Sequence, residues 1–179
     1  MPYVQWVASP VGRLLLASDE ECLLGLWIEG QKYFEDTLSG QPLTQQETPV
    51  LRRAADWIAR YFAGDQPRAA ELPLRPAGSA FRQEVWRLLC EIPYGEVTTY
   101  GTLARELARR HRRDSLSAQA VGGAVGHNPI SLIIPCHRVI GAAGSLTGYA
   151  GGIEKKRWLL QWEGVDVSRL SVPTKGTAL

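Results

Sequence analysis

Ile133-Ile134-Pro135-Cys136-His137-Arg138-Val139-Ile140-Gly141 is the stretch on which the reading of this chain turns. Apolar residues on both sides carry the segment into a core, and it reads as a strand. The Cys-His-Arg centre needs a polar pocket. A buried cysteine alone is a small, inert hydrophobe. Beside a proton acceptor and cations it can be a thiolate. What surrounds the stretch decides between the two.

Downstream, Gly141-Ala142-Ala143-Gly144-Ser145 and Leu146-Thr147-Gly148-Tyr149-Ala150-Gly151-Gly152 are glycine-rich loops able to line a pocket. Neither is a phosphate loop, because no Gly-Lys-Ser/Thr follows. A last helix runs from about Ile153 to Glu163, with Trp158, Leu159 and Trp162 as its core face and Gly164 as its cap. The tail after Val165 reads as poorly ordered. Upstream, Pro129 pushes Asn128 out of helical geometry and ends a helix near Gly126. Asp114, Ser115 or Ser117 can cap that helix. It contains Gln119, Ala120, Gly122 and Gly123, and each glycine weakens it by roughly 1 kcal/mol. Such a cost suggests close approach, either of the core or of a ligand. A second helix precedes it, from Thr98 or Thr99 to about Arg110, with Leu103 and Leu107 inward. Together they form a candidate helix-turn-helix whose slim second helix suits a minor groove about 6 Å wide. Arg109-Arg110-His111-Arg112-Arg113 reads either as a solvated helix end favoured by the dipole or as a phosphate contact. A further helix covers 80–90, capped by Ser79, with Phe81, Val85, Leu88 and Leu89 on one side.

The first half is built differently. Residues 3–8, 13–17 and 23–28 read as an antiparallel meander, and 36–48 as a polar loop. Thr48 caps a helix that Pro49 opens. Its apolar face is Leu51, Ala54, Ala55, Ile58, Tyr61 and Phe62. Pro67, Pro73, Pro76 and Gly78 mark a connector. The chain is therefore an α/β chain of the α+β kind with two domains. Residues 1–75 form a small sheet with a helix, and 76–179 form a mostly helical domain.

A hydrophobic content of 45% in 179 residues supports a real core. No run reaches the ~18 apolar residues of a membrane span, and no signal sequence is legible at the N-terminus. Three widely spaced cysteines fit a reducing cytoplasm rather than a disulfide framework. No metal site is expected. The net charge of +2 is uneven, −3 over 1–75 and +5 over 76–179, which suggests an anionic partner for the second half.

The second half resembles the O6-alkylguanine-DNA alkyltransferase family over roughly residues 79–165. The resemblance is carried by Phe81…Val85-Trp86…Tyr94-Gly95-Glu96-Val97…Tyr100, Asn128-Pro129, Pro135-Cys136-His137-Arg138-Val139, Tyr149-Ala150-Gly151-Gly152 and Trp158-Leu159-Leu160…Glu163-Gly164. The first half resembles the family's variable N-terminal domain. The resemblance implies irreversible transfer of an alkyl group from O6-alkylguanine, and O4-alkylthymine, in double-stranded DNA to Cys136. The protein would act as a monomer and without a cofactor. His137 would be the base, polarised through water by Glu163, and it would be the source of a lowered Cys136 pKa. Tyr100 would hydrogen-bond a ring nitrogen of the guanine. Asn128 would be a hinge and Arg138 a structural tie. Tyr149 would wall the pocket together with Val139, Ala150 would offer a backbone N–H to O6, and Lys156 would lie nearby. The target base must be flipped out of the duplex. The family uses an arginine for this where the present chain has Gln119. Arg109, Arg110, Arg112 and Arg113, in a turn longer than the family's, would compensate. The zinc site of some members has no ligands here beyond Cys22. A damage-binding relative without chemistry carries Trp at the cysteine position, so Cys136 argues against that reading. A helix-turn-helix regulator lacks base-reading residues in this helix. A cysteine hydrolase would need an oxyanion hole that is not legible.

Overall fold

The computed structural model describes residues 1–173. By backbone contacts the chain divides into two compact units, Met1–Gly78 with Pro129–Ile133, and Ser79–Asn128 with the residues from Ile134 onward.

In the first unit, β1 (Tyr3–Val7), β2 (Leu14–Ser18), β3 (Leu23–Ile28) and β4 (Thr44–Gln45) make one sheet in the order β3-β2-β1-β4. The first three strands pair antiparallel, as their alternation predicts. β4 pairs parallel with β1, so the sheet is mixed rather than antiparallel. The polar loop expected over 36–48 contains β4 and a 3-10 turn at Asp36–Leu38. A two-residue strand is too short to leave a period in the sequence. Side chains alternate across the pleat. Leu15, Ala17 and Trp27 pack with Val4 and Leu38 on one face. Leu14, Leu16 and Leu26 point to the other, where α1 (Pro49–Phe62) lies. Thr48 caps α1 by accepting from Leu51 N at 3.1 Å, and Val50, Leu51, Ala54, Trp57, Ile58 and Tyr61 form its buried face. Residues 129–133 join this unit through backbone bonds to β3: Leu26 N donates to Pro129 O (2.9 Å) and Ser131 N to Leu26 O (2.9 Å).

The second unit is built from α2 (Ala80–Leu89), α3 (Tyr100–Arg110), α4 (Ala118–Gly126) and α5 (Ile153–Trp162). Ser79, Thr99 and Ser117 are the observed caps, each accepting a backbone N–H of the first turn. Helices α2 and α3 both pack on α4, and Trp86 Nε1 donates to Ala124 O at 2.8 Å. β5 (Thr98–Thr99) and β6 (Val139–Ile140) pair in parallel. Two sequence expectations change here. The tail beyond Val165 is tied down. Val167–Arg169 is a 3-10 turn, Leu146 N donates to Ser171 O (2.7 Å), and Ser171 N donates to Gly144 O (3.0 Å). Residues 174–179 lie outside the described residues. The buried face of α5 is Lys156, Leu159 and Leu160, while Trp162 is 41% exposed and stacks on Trp158.

Candidate active site

The Cys-His-Arg centre is not a strand. Cys136–Arg138 is a 3-10 turn, and only Val139–Ile140 is extended. The turn faces three consecutive side chains in different directions, where a strand would alternate them between two faces. All three are buried.

His137 Nε2 lies 2.6 Å from Glu163 Oε2. The contact is direct rather than through the expected water. Glu163 accepts three more bonds: Arg138 Nε to Oε1 (2.8 Å), Arg138 Nη2 to Oε2 (3.1 Å) and Gly95 N to Oε1 (3.2 Å). Arg138 Nη1 donates to Ile92 O at 2.7 Å. Burial pushes the Glu163 carboxyl upward, but His137 and Arg138 outweigh it and hold the group well below the usual carboxylate range. Burial lowers the pKa of His137, offset in part by Glu163. The imidazole is therefore neutral at neutral pH. Nε2–H donates to the carboxylate, and Nδ1 is left as a buried acceptor without a partner.

Cys136 departs from expectation. Its thiol is raised above its ordinary value, not lowered, because burial dominates. A hydrogen bond from Asn128 and the charge of Lys156 pull it back in part, and His137 is not among the causes. A neutral imidazole cannot stabilise a thiolate as a cation would. Asn128, just past the C-terminus of α4, also donates from Nδ2 to Ile134 O at 2.8 Å. The helix end is thereby fixed to the segment leading into the Cys136 turn.

Lys156 is fully buried. Its Nζ donates to Val139 O and, at 2.7 Å, to Thr147 O. Burial lowers its pKa to about 8. Tyr100, the first residue of α3, donates from its hydroxyl to the same Thr147 carbonyl at 2.9 Å. Burial raises its pKa to about 12, so it remains protonated. Gly148 follows, at φ +71, where an added Cβ would sit 2.8 Å from the Tyr100 hydroxyl oxygen. Tyr149 is 7% exposed, its ring is edge-on to His137, and its hydroxyl is buried without a partner. Ala150, half-buried, lies in the turn that leads to α5.

Cys136, His137, Glu163, Asn128, Lys156, Val139, Tyr100 and Tyr149 thus belong to one connected cluster. Sequence reasoning missed Thr147, Ile92 and Gly95. The first two act through carbonyls, which any residue carries. Gly95 had a signal in the Pro93-Tyr94-Gly95 turn, and its φ of +80 and a Cβ that would meet Glu163 O at 3.0 Å account for the glycine.

On α4, Val121, Ala124 and Val125 are buried, whereas Gln119, Ala120 and Gly123 are exposed and Gly122 is half-buried. Core packing does not account for Gly123, because a Cβ there meets nothing within 4 Å. Arg109, Arg110, Arg112 and Arg113 are all exposed.

Two family models match the chain: 6-O-methylguanine DNA methyltransferase, DNA binding domain, over residues 80–165, and 6-O-methylguanine DNA methyltransferase, ribonuclease-like domain, over residues 3–76. The methylated-DNA–protein-cysteine methyltransferase of Haemophilus influenzae is 44% identical over 161 residues, covering 90% of this chain and 86% of that protein. The crystal structure of Mycobacterium tuberculosis OGT in complex with DNA is similar with a TM-score of 0.78 and 39% identity, covering 94% of each chain. That of the Mycobacterium tuberculosis O6-methylguanine methyltransferase is similar with a TM-score of 0.76 and 38% identity, covering 98% of this chain and 97% of that one.

Proposed function

The chain belongs to the 6-O-methylguanine DNA methyltransferase family, and on that premise we propose that it repairs O6-alkylguanine in double-stranded DNA by moving the alkyl group irreversibly onto its own Cys136. The observation that carries this reading is the 2.6 Å His137–Glu163 bond, which leaves His137 Nδ1 as an unpartnered buried acceptor one residue from the cysteine. A nucleophile, a base and a group that orients the base are the parts of nucleophilic catalysis.

Sγ of Cys136 forms a bond to the alkyl carbon, and the bond from that carbon to O6 breaks with its electron pair going to the base. The thiol proton goes to His137 Nδ1, and the imidazolium is stabilised by Glu163. The base takes up at its ring nitrogen the proton that the imidazolium gives back through solvent, and leaves as ordinary guanine. Tyr100 stays protonated and turns its hydroxyl from the Thr147 carbonyl to donate to a ring nitrogen of the departing base. Because the resting thiol is uncharged, ionisation belongs to the reacting complex, helped by Asn128 and the Lys156 ammonium. Tyr149 walls the base, the Ala150 N–H meets O6, and the Val139 backbone closes the pocket floor. Gln119, Ala120, Gly122 and Gly123 enter the minor groove, with Gln119 bonding the base left behind. Phosphate contacts come from within the basic run over residues 109–113. O4-alkylthymine is a second substrate. The protein works as a monomer, without a cofactor, in the cytoplasm; its three free cysteines fit a reducing compartment, and among the described residues no helix is long and apolar enough to cross a membrane.

The test is mass spectrometry after incubation with a duplex carrying one O6-methylguanine. The Cys136 peptide should gain one methyl group in place of a hydrogen, and Cys136→Ala should abolish the gain while still binding the duplex. An unmodified Cys136 peptide, or methyl on Cys90, would sink the mechanism.

A further inference from the structure

The turn between α3 and α4 is larger than its connecting role requires. Residues 111–117 separate Arg110 from Ala118, against about three or four in an ordinary helix-turn-helix. It opens on a left-handed cap: Arg112 has φ +53, Arg112 N donates to Arg109 O (3.2 Å), and Arg113 N donates to Ala108 O (2.9 Å). That position favours glycine, and a long side chain is strained there.

The charges sort the run into two sets. Arg109 and Arg110 are already neutralised: both bond Glu106, at 2.7 and 2.8 Å, and Arg110 also bonds Glu91 at 2.9 Å. Arg112 and Arg113 have no carboxylate partner among the described residues, and neither has Arg105, whose one side-chain bond is to Thr102 Oγ1 at 3.0 Å. A cleft of 460 Å³ opens between α3 and the start of α4, lined by Arg105, Arg109, Arg113 and Ser115, with Asp114 as its one carboxylate. Unpaired exposed guanidiniums on α3 and on the turn that follows it are the chemistry of phosphate contact.

We propose that Arg105, Arg112 and Arg113 form a clamp on the phosphodiester backbone of the duplex beside α4, supplying the charge that Gln119 lacks on that helix. The proposal rests on the DNA-repair reading above and narrows the basic run to its unpaired members. Binding of the full chain to an unmodified duplex is measured across a salt series. Each lost phosphate contact should reduce the slope of log affinity against log salt by about 0.9. Arg112→Gln with Arg113→Gln should therefore flatten it by about 1.8, so that the loss of affinity between 50 and 200 mM salt is about tenfold smaller than in the parent. Arg109→Gln with Arg110→Gln removes the same formal charge and should leave the slope nearly unchanged. Arg112→Gly separates function from folding: it should raise the thermal midpoint, because glycine suits the left-handed position, while flattening the slope by about 0.9. An unchanged slope in the Arg112/Arg113 variant overturns the clamp, and so does equal flattening in the Arg109/Arg110 variant. If the parent methylates Cys136 from a methylated duplex, those outcomes remove the clamp alone. If the parent neither binds duplex nor methylates Cys136, the repair reading falls and takes the clamp with it.

Discussion

Replacing Gly123 by alanine separates what α4 does for the fold from what it does for DNA. Gly123 lies in the exposed face of the helix with no positive φ, and an added Cβ meets nothing within 4 Å. In isolation the protein should gain from the substitution. Alanine removes the entropic cost of a helical glycine, about 0.5–1 kcal/mol, worth roughly 1–4 °C in the thermal midpoint of a chain this size. Bound to DNA the sign reverses, because the added methyl occupies space on the face proposed above to enter the groove. Forcing one methyl into a packed contact costs about 1–3 kcal/mol, which weakens duplex binding by roughly 5- to 150-fold. Thermal unfolding of the free protein and a duplex-binding isotherm are sufficient as assays. A lowered midpoint would mean that the fold itself needs this glycine. Unchanged affinity would mean that α4 does not present this face to DNA. Gly25 gives the contrast, since its Cβ would lie 2.0 Å from the Trp27 ring. There alanine should destabilise the first unit.

Further outcomes follow from the same geometry. Glu163→Gln removes the carboxylate that His137 and Arg138 share in a buried site, and should cost about 3–5 kcal/mol in urea unfolding at neutral pH. The folded carboxyl titrates below its ordinary value of 4.5, so its contribution is full above that pH and fades as pH falls below it. The stability gap between parent and Glu163→Gln should accordingly narrow in acid; a constant gap would refute the charge assignment. Gly148→Ala combines a strained φ of +71 with a 2.8 Å approach to the Tyr100 hydroxyl. It should cost about 1–3 kcal/mol and slow methyl transfer in single-turnover kinetics. Gln119→Arg should tighten duplex binding and speed repair of double-stranded substrate, and no gain would mean that another residue flips the base.

The helices were the most legible part of the sequence, for a physical reason. Thr48, Ser79, Thr99 and Ser117 each satisfy an orphan N–H of a first turn, and that chemistry is written in residue type. The candidate site stood out in the sequence because Pro135-Cys136-His137-Arg138 sets a nucleophile, a base and a cation in adjacent positions. The electrostatics of these residues were not legible, because burial sets them. Neither the raised thiol of Cys136 nor the neutral imidazole of His137 can be read from neighbours in sequence. The parallel strand β4 and the placement of residues 129–133 beside β3 rest on long-range backbone bonds, to which side-chain patterns are blind. The carbonyl of Thr147, on which Tyr100 and Lys156 converge, is hidden for the same reason.

The burial of Cys136 has a consequence for the protein between encounters with damage. A reagent that is used once is wasted by any reaction other than its own. Oxidants and adventitious electrophiles react with thiolates far faster than with thiols. Cys136 is 6% exposed and its pKa is raised by burial. Under the proposed function, the same desolvation that keeps the resting cysteine a thiol shields this single-use group from such side reactions until a substrate fills the pocket.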